Sequence, residues 1–222
     1  MLQRLTGCSR CNAGHGGHRI SCIAISRAHS FIISGSGPPG QSSVVLWDTD
    51  RPRLIRVLCS GLPMPPPHLI PTEAGANIVV CSARQIRVIS INGVPLAGLE
   101  MDAESDAFTC AAPVSAPDWS VEYPTIVSGH ADGCIRFWRL VPTRMPNVKR
   151  WGKGWRQISS HCGQTLEFVT LCARSHNSPV TSISFSSDSP PSLMFTGGEQ
   201  GGIVQWGRMP SDRRPTGKDS AQ

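Results

Sequence analysis

The sequence predicts an all-β protein built from about four small antiparallel sheets of four strands each. Three observations predict it. Short apolar runs rich in Val, Ile, Phe and Trp recur along the 222 residues, each ending at a Gly, Asn, Asp or Pro cluster, which is the pattern of strands and tight turns. Sustained apolar spacing at three and four residues is scarce, so no helix is expected. The third observation is a repeat that places tryptophans at matching positions.

The runs group into sets. Ile20–Ser26, Phe31–Ser34, Val44–Asp48 and Leu54–Leu58 form the first. Ile78–Cys81 with Ile86–Ile91, and then Thr125–Ser128 with Cys134–Leu140, form two incomplete ones. Leu166–Cys172, Val180–Ser186, Leu193–Thr196 and Ile203–Trp206 form the last. Aligning the tryptophans gives the register. Ser128 precedes Trp138 by ten positions, Thr196 precedes Trp206 by ten, and Ser34 to Trp47 is the same pattern with three more residues in the turn. A fourth copy is degenerate, with Ile89 in the tryptophan position. Asp132-Gly133 and Gly201-Gly202 are the expected hairpin turns.

These residues resemble WD40 repeats. The block from Trp119 to Arg139, with Ile86 to Gly93 before it and Lys153-Gly154-Trp155-Arg156 and Ser178 to Ile183 after it, is similar to the C-terminal propeller of BEACH-domain trafficking proteins. It is closest to the Alfy-like WD-repeat-and-FYVE branch. The resemblance implies a partial WD40-type β-propeller whose blades are locked by His, Ser/Thr, Asp and Trp side chains. Carried onto this chain, those positions are His18, Ser34 and Trp47; Ser128, Asp132 and Trp138; and His176, Thr196 and Trp206. His18 is preferred to His15 because it precedes Trp47 by 29 residues, close to the 30 between His176 and Trp206. The third blade is expected to lack its His and the last has Gln200 in the Asp position, so the blades are expected to be individually weak. Residues 18–206 are expected to form the blades, with a basic insert at 141–163. Residues 1–17 are expected to carry the outer strand of a preceding blade, and residues 207–222 to form a disordered polar tail. Neither a BEACH region nor a cysteine-bearing FYVE module is expected within the sequence.

The resemblance further implies a scaffold that docks protein partners in vesicle, lysosomal or autophagic traffic, cytoplasmic or peripheral to those membranes, rather than an enzyme. No cofactor is expected. The seven histidines suggest no catalytic grouping by order alone, with His29 and His130 read as turn residues. Nine scattered cysteines, several inside apolar runs, read as buried free thiols rather than a disulfide framework. No apolar stretch reaches the ~18 residues of a membrane helix.

Three other features compete for a chemical role. Gly35 to Ser42 has phosphate-loop spacing, but Gln41 stands where the Lys is needed and a strand follows instead of a helix; a lengthened hairpin turn is expected. Cys8, Cys11, His15 and His18 are weak zinc candidates, because only three residues separate Cys11 from His15 where finger-type sites use about a dozen. The net charge of +6 is concentrated: Arg136 to Arg156 holds seven basic residues and no acid, interleaved with Trp138, Trp151 and Trp155. Arg144, Lys149, Arg150, Lys153 and Arg156 are therefore candidates for an anionic partner, a lipid surface ahead of nucleic acid. A solvated loop is the simpler alternative.

Overall fold

A computed structural model describes residues 15–51, 53–72, 76–82, 84–101, 107–114, 126–142, 155–158, 164–172, 175–186 and 193–207. They form sixteen strands in four antiparallel sheets. Blade 1 is β1 (Ile20–Ser26), β2 (Phe31–Ser36), β3 (Ser42–Asp48) and β4 (Arg53–Leu62), paired in chain order. Blade 2 is β5 (His68–Pro71), β6 (Ile78–Cys81), β7 (Gln85–Ile89) and β8 (Pro95–Met101), with β12 (Trp155–Ile158) added at its outer edge beside β8. Blade 3 is β9 (Phe108–Pro113), β10 (Ile126–His130), β11 (Ile135–Pro142) and, outermost, β13 (Gln164–Cys172). Blade 4 is β14 (Val180–Phe185), β15 (Leu193–Gly198) and β16 (Ile203–Gly207).

Leu166–Cys172 therefore belongs to blade 3, where β13 pairs with β11, and not to the last set of strands. The 21 residues between β11 and β13 hide this link in the sequence. Strands β5, β8 and β9 were also absent from the sequence reading. Proline, alanine and glycine dilute their apolar pattern, as in Pro95-Leu96-Ala97-Gly98, and such residues are poor strand signals.

The blades stack radially. Their innermost strands β1, β5, β9 and β14 lie side by side in that order, and three cores fill the junctions. Phe31, Ile33, Val44 and Leu46 of blade 1 meet Ile78, Val80 and Ile89 of blade 2. Val79, Ile86 and Val88 meet Ile126, Trp138 and Leu166 across the next junction. Cys110, Val127, Ile135 and Phe137 meet Val180 and Met194 across the third. Strand alternation explains the arrangement: each sheet buries one set of side chains against the preceding blade and the alternate set against the following one. Cohesion is thus mainly between blades, each fully buried aliphatic side chain contributing about 1.5–3 kcal/mol.

Cysteines take part in these cores as apolar side chains. Among the described residues Cys22, Cys59, Cys81, Cys110 and Cys134 are free. Burial pushes the Cys81 thiol up to about 12, with Cys110 and Cys22 adding to the effect. Burial also raises Cys59 and Cys110 to about 11 each. Since the thiolate is the reactive form, Cys81 of the folded protein is expected to resist iodoacetamide at mildly alkaline pH until the chain unfolds. Alkylation followed by peptide mass spectrometry checks this, and rapid labelling of Cys81 in the native state would contradict it.

Candidate functional site

The polar side chains inside the blades form three repeated hydrogen-bonded locks. In blade 3 the Trp138 indole Nε1–H donates to Ser128 Oγ at 2.8 Å, and the same oxygen lies 2.8 Å from His130 Nε2. In blade 4 Trp206 Nε1–H donates to Thr196 Oγ1 at 2.9 Å, and His176 Nε2 is 2.8 Å from that oxygen. In blade 1 Trp47 Nε1–H donates to Ser34 Oγ at 2.7 Å, and His15 Nε2 lies 2.6 Å away. One hydroxyl bridges an indole and an imidazole each time. The register makes the three equivalent: Ile32 pairs with Trp47, Ile126 with Trp138 and Met194 with Trp206, and the hydroxyl residue stands two positions after the first member of each pair.

Two of the rings correct the sequence reading. The His of blade 1 is His15, not His18. Counting back from Trp47 crosses the lengthened β2–β3 turn, whereas counting from the hydroxyl does not. His15 lies 19 residues before Ser34 and His176 lies 20 before Thr196. His18 instead closes the turn, its N–H donating to the His15 carbonyl at 2.8 Å, and its own carbonyl accepts from Ser36 Oγ at 3.3 Å. The second correction is that blade 3 does have its His. His130 ends β10 fully buried, its ring 4.8 Å from that of Phe108. Residues two apart on a strand share a face, so Ser128-Gly129-His130 carried the signal.

Blade 2 keeps the geometry without the polar groups. Ile78 pairs with Ile89, Val80 takes the hydroxyl position, and Val80 and Ile89 are both 3% exposed. Burying two aliphatic side chains contributes more than the roughly 1 kcal/mol net of an average hydrogen bond.

Asp132 fixes the turn that leads into β11. Its Oδ1 accepts the Cys134 N–H at 2.8 Å and its Oδ2 accepts Arg136 Nη2–H at 2.8 Å. Burial opposes its charge, but the Cys134 N–H and the Arg136 guanidinium together hold its carboxyl down to about 2. Gln200 uses its backbone N–H, which donates to Ser178 Oγ at 3.3 Å.

The His15 ring gives the blade 1 lock a pH dependence. Burial first and the neighbouring His18 charge second lower its pKa from 6.5. The unfolded chain thus binds the proton more readily, and stability rises with pH across that window. The stabilisation is complete above 6.5 and is lost as pH falls toward the folded value. The thermal midpoint is expected to fall on acidification below pH 6.5, less steeply in His15→Gln. Identical slopes for the two proteins would contradict this.

The remaining candidates resolve by position. The phosphate-loop-like segment is the β2–β3 hairpin, and Ser42 Oγ–H donates to the Pro38 carbonyl at 2.8 Å. Of the weak zinc candidates, Cys8 and Cys11 lie outside the described residues and His15 is engaged with Ser34. Among the described residues no group of three potential ligands comes together. Arg144, Lys149, Arg150 and Lys153 also lie outside the described residues; Arg156 is in β12, opposite Glu100 of β8. The chain therefore leaves blade 3 at the end of β11, adds β12 to the outer edge of blade 2 and comes back to blade 3 as its outermost strand β13. Trp119 is outside the described residues.

Comparison with known proteins agrees with this geometry. The family model "WD domain, G-beta repeat" matches residues 7–48 and 104–139. Protein SPIRRIG of Arabidopsis thaliana is 24% identical over 196 residues, covering 85% of this chain and 5% of that protein. BEACH domain-containing protein A2 of the same plant is 24% identical over 200 residues, again 85% of this chain and 5% of the relative. The chain thus spans only 5% of the length of these curated relatives. Among solved structures, the WD40 domain of SCAP from fission yeast superposes with a TM-score of 0.56 at 14% identity, covering 89% of this chain and 40% of that one, and shows the fold. Two segments of the chain match the WD40 repeat model, and the chain folds as a partial β-propeller and is similar at low identity to BEACH-domain proteins. Together these support a protein-interaction propeller module.

Proposed function

We propose that this chain is the propeller portion of a BEACH–WD40 membrane-trafficking protein of the Alfy-like branch, acting by docking protein partners on endosomal, lysosomal or autophagic membranes. The observation that carries this reading is the same hydroxyl bridging Trp and His in three blades. Buried polar side chains of the blades are spent on holding sheets in place, which leaves recognition to the loops and the rim. Affinity purification from cells, comparing the wild-type chain with Trp138→Ala, tests it. A defined set of membrane-trafficking proteins retained by the wild type and lost with the variant is the expected result. A wild type that retains no such set would overturn the reading.

A second reading rests on the seven cations between Arg136 and Arg156 and on the anchoring of their insert at the rim by β12. In it, the insert binds an anionic lipid surface, each basic residue near such a surface contributing about 1 kcal/mol. Sedimentation with phosphoinositide-containing vesicles, abolished by reversing Arg150, Lys153 and Arg156 to Glu, is the expected result. Equal sedimentation of the reversed variant would remove this reading and leave protein docking.

A further inference from the structure

Within the docking reading, and resting on it, we infer that the groove between blades 1 and 2 docks an extended peptide segment of a protein partner. A side-chain carboxylate of that segment pairs with Arg87, and an apolar neighbour packs on Met64. The groove is lined by Pro63, Met64 and Pro66 of the β4–β5 connection and by Ser82, Gln85 and Arg87 of blade 2.

The comparison of two blades identifies the ligand group. Arg87 stands opposite Val80 in blade 2 as Arg136 stands opposite Ser128 in blade 3. Blade 3 neutralises its arginine: Arg136 Nη2–H donates to Asp132 Oδ2 at 2.8 Å, while Asp132 Oδ1 accepts the Cys134 N–H of the turn. Blade 2 braces its turn with a neutral side chain instead. Ser82 Oγ accepts the Gln85 N–H at 3.2 Å, and a hydroxyl carries no charge to balance a guanidinium. Arg87 Nε–H donates to Gln85 Oε1 at 3.1 Å, and the same amide donates onward to Glu100 Oε1 at 3.0 Å. Among the described residues no carboxylate pairs with Arg87. The group that Asp132 supplies in blade 3 is thus left for a ligand to supply in blade 2, and the planar guanidinium fork fits a carboxylate.

The opposite wall is apolar and held in place. Four of the six residues from Leu62 to Pro67 are proline, which fixes their backbone. The Pro63 carbonyl accepts the Gly40 N–H at 3.0 Å, and the Pro66 carbonyl accepts Ser21 Oγ–H at 2.8 Å and Cys22 Sγ–H at 2.9 Å. A wall tied at both ends loses little freedom when a ligand arrives. Met64 is 51% exposed on it, and its unbranched thioether adapts to apolar side chains of different shape. Arg84, exposed in the β6–β7 turn beside the groove, adds a second cation that favours an acidic segment.

Fluorescence anisotropy on the full 222-residue chain tests this. The probes are two labelled pools of capped decapeptides. One has a fixed Asp two positions before a fixed Leu, because residues two apart in an extended chain share a face; the other has Asn for that Asp. All other positions are drawn from Gly, Ser and Thr. The Asp pool is expected to bind about tenfold or more tighter than the Asn pool, as for a hydrogen bond to a charged group. Arg87→Gln is expected to erase the difference. So is Ser82→Asp, which keeps an acceptor for the Gln85 N–H and sets a carboxylate in the same groove, so the test does not hang on the folding of one variant. Arg27→Gln removes an exposed cation at the β1–β2 turn and should leave the difference intact. Equal binding of both pools to the wild type overturns the inference, and is the result if an acid of the chain itself holds Arg87. So does a preference that survives Arg87→Gln and Ser82→Asp, or one that Arg27→Gln also erases. A wild type that retains trafficking proteins in the affinity purification yet shows no preference between the pools overturns this groove alone.

Discussion

Trp138→Ala is expected to lower the free energy of unfolding by about 3–5 kcal/mol, the range for removing a buried large aromatic side chain. Trp138 is 2% exposed and sits in the core between blades 2 and 3. Its ring meets Phe168 edge-on at 5.6 Å and Phe108 at 6.5 Å. Truncation opens that core and also removes the donor to Ser128 Oγ, within a fully buried Ser128–His130 pair. Trp206→Ala should cost less, because Trp206 is only half-buried in the end blade. Urea unfolding followed by circular dichroism measures both. A loss for Trp138→Ala as small as that of a surface substitution, about 0.5 kcal/mol, would contradict the packing described here.

Gly133→Ala is expected to destabilise by about 3 kcal/mol, combining left-handed backbone strain with overpacking. Gly133 has φ +76°, and an added Cβ would run into the backbone carbonyl of His176. That carbonyl cannot simply rotate away, because the His176 N–H donates to the Gly133 carbonyl at 3.1 Å. The turn of blade 3 therefore positions the residue whose ring locks blade 4. Gly201 is the internal control. It holds the same place in the blade 4 turn at φ +83°, with nothing within 4 Å of an added Cβ, so Gly201→Ala should cost only the strain, about 1 kcal/mol. Equal effects at the two glycines would show that contact between blades 3 and 4 does not set the cost.

How much of this was legible in the sequence depended on whether a signal was local. The hairpin β2–β3 and its counterparts were legible because turn glycines and tryptophans recur at fixed offsets. Even the degenerate copy was aligned, and Ile89 stands where the tryptophans stand. The rings were not all legible. His18 was preferred to His15 because the offset was counted through a turn of variable length. His130 was missed because it was expected upstream of the hydroxyl rather than beyond it on the same strand face. Strand β12 pairs with β8 across 53 residues of chain (Met101 to Trp155), and no local pattern encodes a partner so distant. The expectation of individually weak blades was drawn from the side-chain locks alone. It counted hydrogen-bonded side chains within each sheet, while most of the stabilisation comes from apolar faces meeting between sheets.

Hydrogen exchange of the indole N–H groups, followed by nuclear magnetic resonance, tests the hydroxyl-bridged lock most directly. The indoles of Trp47, Trp138 and Trp206 should exchange slowly, Trp138 slowest of the three because it is the most buried. Ser128→Ala should speed Trp138 while leaving Trp47 unchanged. A Trp138 indole that exchanges like a free one, or that ignores the loss of the Ser128 hydroxyl, would contradict the lock.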